Sequence, residues 1–80
     1  MSRVTNETPF RDIPVEERPL LMVAAGVDAA TAVREADDLE DAVRRLLEQG
    51  VETGIPGSTA YLCEFALEAA GALRRASQNP

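Results

Sequence analysis

With 80 residues, one cysteine and no histidine, the chain has room for one domain and can build neither an intramolecular disulfide nor a zinc site of about four Cys or His ligands. Its net charge of −6, without a single lysine, excludes the clustered basic surface that displaces counterions from nucleic acid. A domain this small buries only about 60% of the surface its unfolded chain exposes, so oligomerisation is the route to stability that remains.

In chain order, residues 1–19 read as an irregular, proline-containing arm. Pro9, Pro14 and Pro19 recur every five residues and forbid a continuous helix, while Phe10, Ile13 and Val15 give the arm some apolar surface. Residues 1–10 are polar and lack the apolar core of a secretory signal. No stretch approaches the ~20 apolar residues that span a bilayer. The expected location is cytoplasmic, and Asn6-Glu7-Thr8 reads as a chance match to the glycosylation pattern.

Residues 20–80 form the body, a strand followed by a helical hairpin. Leu20-Leu21-Met22-Val23 is long enough for one short strand, whose backbone would need a partner, and the expected one is its own copy in a dimer. Gly26 breaks the chain and Asp28 is suited to cap a helix. From Ala29 the apolar residues Ala32, Ala36, Leu39, Val43 and Leu46 recur at three- and four-residue spacing, with Val33, Leu47 and Val51 widening the stripe. This predicts an amphipathic helix over about residues 29–53, roughly 38 Å long. Glu40 with Arg44 and Asp41 with Arg45 are i,i+4 pairs on its outer face. Gly54 resembles a C′ glycine with Ile55 folding back toward Val51, and a stop at Gly50 is the alternative.

Ser58 or Thr59 is the expected cap of a second helix over about residues 59–77. Leu62, Phe65, Ala66, Ala69, Leu73 and Ala76 share one face, yet Tyr61, Cys63, Leu67, Ala70 and Ala72 off that face are also apolar or nearly so. Only Glu64, Glu68, Gly71 and Arg75 make a narrow polar stripe. A helix apolar over most of its circumference has to be buried over most of it, and one antiparallel neighbour covers too little. The fold class expected is therefore mainly all-α. A short N-terminal strand precedes an antiparallel two-helix hairpin, and two copies join in a twofold four-helix bundle.

Chemistry finds few candidates. Without histidine the commonest general base is missing, and Ser-His-Asp or Cys-His arrangements are excluded. Cys63, between Leu62 and Phe65, reads as a small buried hydrophobe. The carboxylates Asp37, Asp38, Glu40 and Asp41 read as a solvated face, because Mg²⁺ or Ca²⁺ needs oxygens converging from a loop or several elements. Residues 54–58 precede a helix N-terminus, but no lysine supports a phosphate loop. No catalytic residue, metal or cofactor is expected.

Three segments carry a resemblance: residues 20–27 (LLMVAAGV), residues 32–39 (AVREADDL) and residues 60–67 (AYLCEFAL). Over roughly Leu20 to Leu73 the chain is similar to a family of short pseudomonad proteins, a domain of unknown function. That family has an F-x-V-x-x-G-V start, an A-L-x-x-A-S-x-L-L first helix and a Y-L-x-x-x-A-x-A-L second helix. Asp37 stands where the family often has serine and Glu40 where it often has leucine. The resemblance implies architecture rather than activity. In size and helical character the chain also resembles small pseudomonad antiactivators that bind quorum-sensing receptors.

The expected function is that of a small non-enzymatic homodimer that binds another protein as a regulator or adaptor of antiactivator type, without direct nucleic-acid or membrane contact. The expected interface comprises Leu20, Leu21, Met22, Val23, Leu39, Val43, Leu46, Tyr61, Leu62, Phe65, Ala69 and Leu73. Two rivals are a mobile-element-encoded acidic inhibitor of a host nucleic-acid-binding machine and a small enzyme using carboxylates alone.

Overall fold

The computed structural model describes residues 3–13 and 15–78, without the side chain of Ile13. Met1, Ser2, Pro14, Asn79 and Pro80 lie outside that description, together with what the sequence led us to expect of them. Four elements follow one another: β1 (Thr8–Ile13), β2 (Arg18–Val23), α1 (Ala29–Thr53) and α2 (Gly57–Ser77). The chain is mostly helical, with a two-stranded antiparallel sheet ahead of the two helices.

The first difference from expectation lies in the arm. Residues 8–13 are a strand, not irregular chain, and they give β2 its partner within the same molecule, in a register that sets Thr8 against Val23 and Ile13 against Arg18. Proline forbids a helix, but its fixed φ suits extended chain wherever no ladder N–H is required. Pro9 opposes Met22, and because Pro9 has no N–H this must be a non-hydrogen-bonded pair of the ladder.

The arm upstream of β1 is also tied down. Ala29 N–H donates to the Arg3 carbonyl (2.9 Å), Thr5 N–H to Val27 (2.7 Å) and Gly26 N–H to Thr5 (2.9 Å). Val4 forms a bridge with Asp28. Two residues, Gly26 and Val27, thus oppose Thr5, a local bulge made possible by Gly26 at φ +85°. Thr5 is 2% exposed. Its hydroxyl donates to the Ala24 carbonyl (2.7 Å) and accepts from the Val27 N–H (3.0 Å), so one buried side chain fixes the turn leading into α1.

Asp28 caps α1 as expected, its carboxylate accepting from the Thr31 N–H and hydroxyl. Gly54, at φ +76°, ends the helix with its N–H on the Gly50 carbonyl. Ile55 folds back over Gly50 rather than Val51. A Cβ on Gly50 would collide with the Ile55 side chain. Helix α2 starts two residues earlier than expected. Pro56 leads in with extended backbone and no side-chain cap, so Ser58 and Thr59 lie inside the first turn.

Helix α2 is the central rib. One side packs on α1 and the other receives the ribbon through β1, with Asn6 N–H donating to the Ala76 carbonyl (2.8 Å). The order β2, β1, α2, α1 makes a slab of 46 × 35 × 15 Å. Its radius of gyration is 14.5 Å, against about 12 Å for a compact chain of this length. The residues that leave water are small: Ala29, Ala32, Ala36 and Val43 of α1 and Cys63, Ala70, Ala72 and Ala76 of α2.

Thr5→Val keeps the shape and removes the hydroxyl, leaving the Ala24 carbonyl and Val27 N–H short of a partner. We expect a loss of about 1–3 kcal/mol in urea unfolding, with Thr5→Ser much closer to wild type.

Candidate protein-binding surface

The broad face of the slab is built by helical periodicity. Once Ala36 and Ala70 point into the α1–α2 seam, Leu39 and Leu46 of α1 and Leu62, Ala66, Ala69 and Leu73 of α2 come up on the same side. Leu62 is 61% exposed and Leu46 39%. The ribbon extends this face, where Phe10, Met22, Val23 and Val27 share with Ala69 and Leu73 an apolar groove of about 420 Å³.

The reverse side is different. Leu47, Val51 and Leu67 there make an apolar strip above the buried Val43, with Glu40, Arg44 and Glu48 around it. Arg74 donates to Asp37 (2.6 Å) and to both oxygens of Glu40 (2.6 and 3.1 Å). The expected Glu40–Arg44 pair is therefore replaced by a bridge between the helices, since the guanidinium fork meets both carboxylate oxygens at once. Asp41 and Arg45 do pair, at 3.0 Å. The hydrogen bonds from Arg74 hold the Glu40 carboxyl below its usual range.

On the hairpin side of α2, Arg11 acts as a latch. Its backbone N–H donates to Glu68 Oε2 (2.8 Å) and its guanidinium to Glu68 Oε1 (2.6 Å). The guanidinium carbon lies 5.2 Å from the centre of the Tyr61 ring and 5.4 Å from that of Phe65, within cation–π range. To present both donors, Arg11 adopts φ +59°, an αL conformation uncommon for a non-glycine residue. Phe10 meets Phe65 beside it, the rings 6.3 Å apart. The Arg11 side-chain hydrogen bond, helped by the backbone one, holds the Glu68 carboxyl below its usual range.

The structure thus sorts the twelve expected interface residues. Leu39, Leu46, Leu62, Ala69 and Leu73 come together on one face, with Phe65 where it meets the hairpin. Leu20, Leu21 and Met22 are exposed on the ribbon and Val23 is half-buried. Two belong elsewhere. Val43 is core, 4% exposed, because it faces α2 directly. Tyr61 lies under Arg11 on the hairpin side. The sequence reading missed Thr5, Arg11 and Arg74. Glu64 and Glu68, one turn apart on an otherwise apolar helix, were the available signal that a cation is needed there.

Among the described residues, no group of three or more His, Cys, Asp or Glu side chains is placed to hold a metal ion, and no helix is long and apolar enough to cross a membrane. Comparison with protein-family models, curated proteins and solved structures finds no match.

Glu40 and Glu68 hold their protons less tightly folded than unfolded. Their ion pairs therefore stabilise the fold above the ordinary glutamate value of about 4.3. That contribution is lost as pH falls through the lowered folded values. Urea titrations from pH 7 to pH 2 should show stability declining over that window. In Glu40→Gln/Glu68→Gln the decline should be visibly shallower.

Proposed function

We propose that this chain is a small, non-enzymatic cytoplasmic protein that self-associates and acts by binding another protein, as a regulator or adaptor of the antiactivator kind. One observation carries the reading. A slab 15 Å thick with a core mostly of alanine leaves its large apolar side chains outside. Leu46, Leu62 and Met22 are exposed together with half-buried Leu39 and Leu73 on one side. Contiguous apolar patches of a few hundred Å² or more mark sites where proteins meet.

Two copies laid face to face over Leu39, Leu46, Leu62 and Leu73 make the twofold four-helix bundle, with small residues letting the helices approach closely. The strip of Leu47, Val51 and Leu67 on the reverse side then remains for the protein partner. The acidic-inhibitor reading draws less support. Arg74 engages Asp37 and Glu40, and Arg45 engages Asp41, so little of the acidic run is unpaired. The carboxylate-enzyme reading also draws less support, because the acid pairs Asp37 with Glu40 and Glu64 with Glu68 each converge on an arginine.

Sedimentation equilibrium of the wild type should give a mass above that of one chain at micromolar concentration, nearly unchanged between low and high salt because the seam is apolar. Leu62→Asp would bury an unpaired carboxylate at several kcal/mol and should weaken self-association at least about a hundredfold. Val51→Asp, on the reverse side, should leave it unchanged. A wild type that is monomeric throughout, or a Leu62→Asp variant that associates normally, would contradict the bundle.

A further inference from the structure

We propose that the groove between the hairpin and the two helices binds a small amphiphilic cation, an alkyl chain ending in an ammonium group, with the chain in the groove and the ammonium on the Glu35 carboxylate. The site lies within one chain, shares only Leu73 with the bundle seam and does not rest on the self-association reading.

The groove exists because of residue size. Ala24, Ala32 and Ala69 contribute only methyl groups to its lining, and the larger Phe10, Val23 and Leu73 stand half-buried around them. About 420 Å³ stays open, within the range of about 300–1,000 Å³ typical of pockets that take small ligands. All four elements contribute to the lining, so the site is assembled only in the folded chain.

Water is poorly held there. The Thr5 hydroxyl is spent on the Ala24 carbonyl and the Val27 N–H, and the Thr31 hydroxyl donates to Asp28. A water molecule needs about two to four polar partners to be fixed in place, and this lining offers few. An apolar chain displaces such water favourably.

The ligand's polar end follows from the charge that remains. Glu35 is the one charged residue of the lining. It is exposed, which places it at the mouth of the groove. Asp37, Glu40, Asp41, Glu64 and Glu68 each meet an arginine, whereas Glu35 makes no ion pair among the described residues. With no arginine in the lining and a net charge of −6, the local field attracts a cation and repels a carboxylate.

Calorimetric titration with n-alkylammonium chlorides, from butyl to octyl, tests both halves of the site. Affinity should rise about fourfold per added methylene, as burial of the chain requires. Octanoate, with the same reach and the opposite charge, should bind at least about tenfold more weakly than octylammonium. Glu35→Gln should weaken octylammonium at least about fivefold and leave octanoate nearly unchanged. Glu52→Gln, which removes an equal charge far along α1, should alter neither. Ala69→Phe should fill the groove and abolish binding, with circular dichroism confirming the wild-type helical signal. Methyl NMR of the wild type locates the ligand without any substitution: octylammonium should shift Val23, Val27 and Leu73 and spare Leu47, Val51 and Leu67. The same titration on Leu62→Asp should give the wild-type affinity, whatever that variant does to self-association. The proposal is overturned if octylammonium fails to bind at millimolar concentration or binds no better than octanoate. It is equally overturned if Glu35→Gln keeps the wild-type preference, if the methyl shifts fall on the reverse side, or if Leu62→Asp abolishes binding.

Discussion

Between α1 and α2 the side chains fully removed from water are largely alanine: Ala36 and Ala70 show no exposed surface, and Ala29 and Ala32 show almost none. Alanine lets two helices approach closely and costs no side-chain entropy on burial, but each methyl hides little apolar area. Much else in the molecule answers to that constraint. A seam of methyl groups cannot thicken into a globular core, so the elements lie side by side and the larger side chains are carried outward. The 15 Å thickness and the exposed leucines are two results of one choice of residue.

Because the helix seam is thin, the rest of the chain is held by polar contacts of high specificity. Thr5 closes the bulge before α1, and Arg11 clamps the hairpin to α2 through Glu68 and two aromatic rings. Arg74 ties the second helix back to Asp37 and Glu40. Each contact joins segments far apart in sequence. Two of them are charge-assisted and multiply donated, which makes them stronger than single neutral hydrogen bonds. The αL backbone of Arg11 shows how strongly the site is determined. That conformation costs about 1–3 kcal/mol, and it delivers the N–H and the guanidinium to the same carboxylate.

The helices were legible in the sequence because their signals are local. The three-and-four spacing from Ala29, the Asp28 cap and the Gly54 stop all act within one or two turns. Strand β1 was not legible, because its partner is chosen by register rather than by nearby residues, and three prolines masked an extended segment as an irregular one. Leu39, Leu46, Leu62, Ala69 and Leu73 fall on one face because periodicity alone decides it. Val43 is core and Tyr61 lies at the hairpin, because their surroundings are set by which neighbour occupies each side of α2. Thr5, Arg11 and Arg74 gave no local pattern at all. Their roles exist only once residues dozens of positions apart have been brought together.

The central claim is that the face carrying Leu39, Leu46, Leu62 and Leu73 is covered by another protein surface, in the first instance a second copy. Methyl NMR with a soluble paramagnetic agent reads this residue by residue. As protein concentration rises, relaxation enhancement should fall at the Leu46 and Leu62 methyls and stay unchanged at Leu47 and Leu67 on the reverse side. Leu46 and Leu62 methyls that remain equally accessible at every concentration would contradict the account.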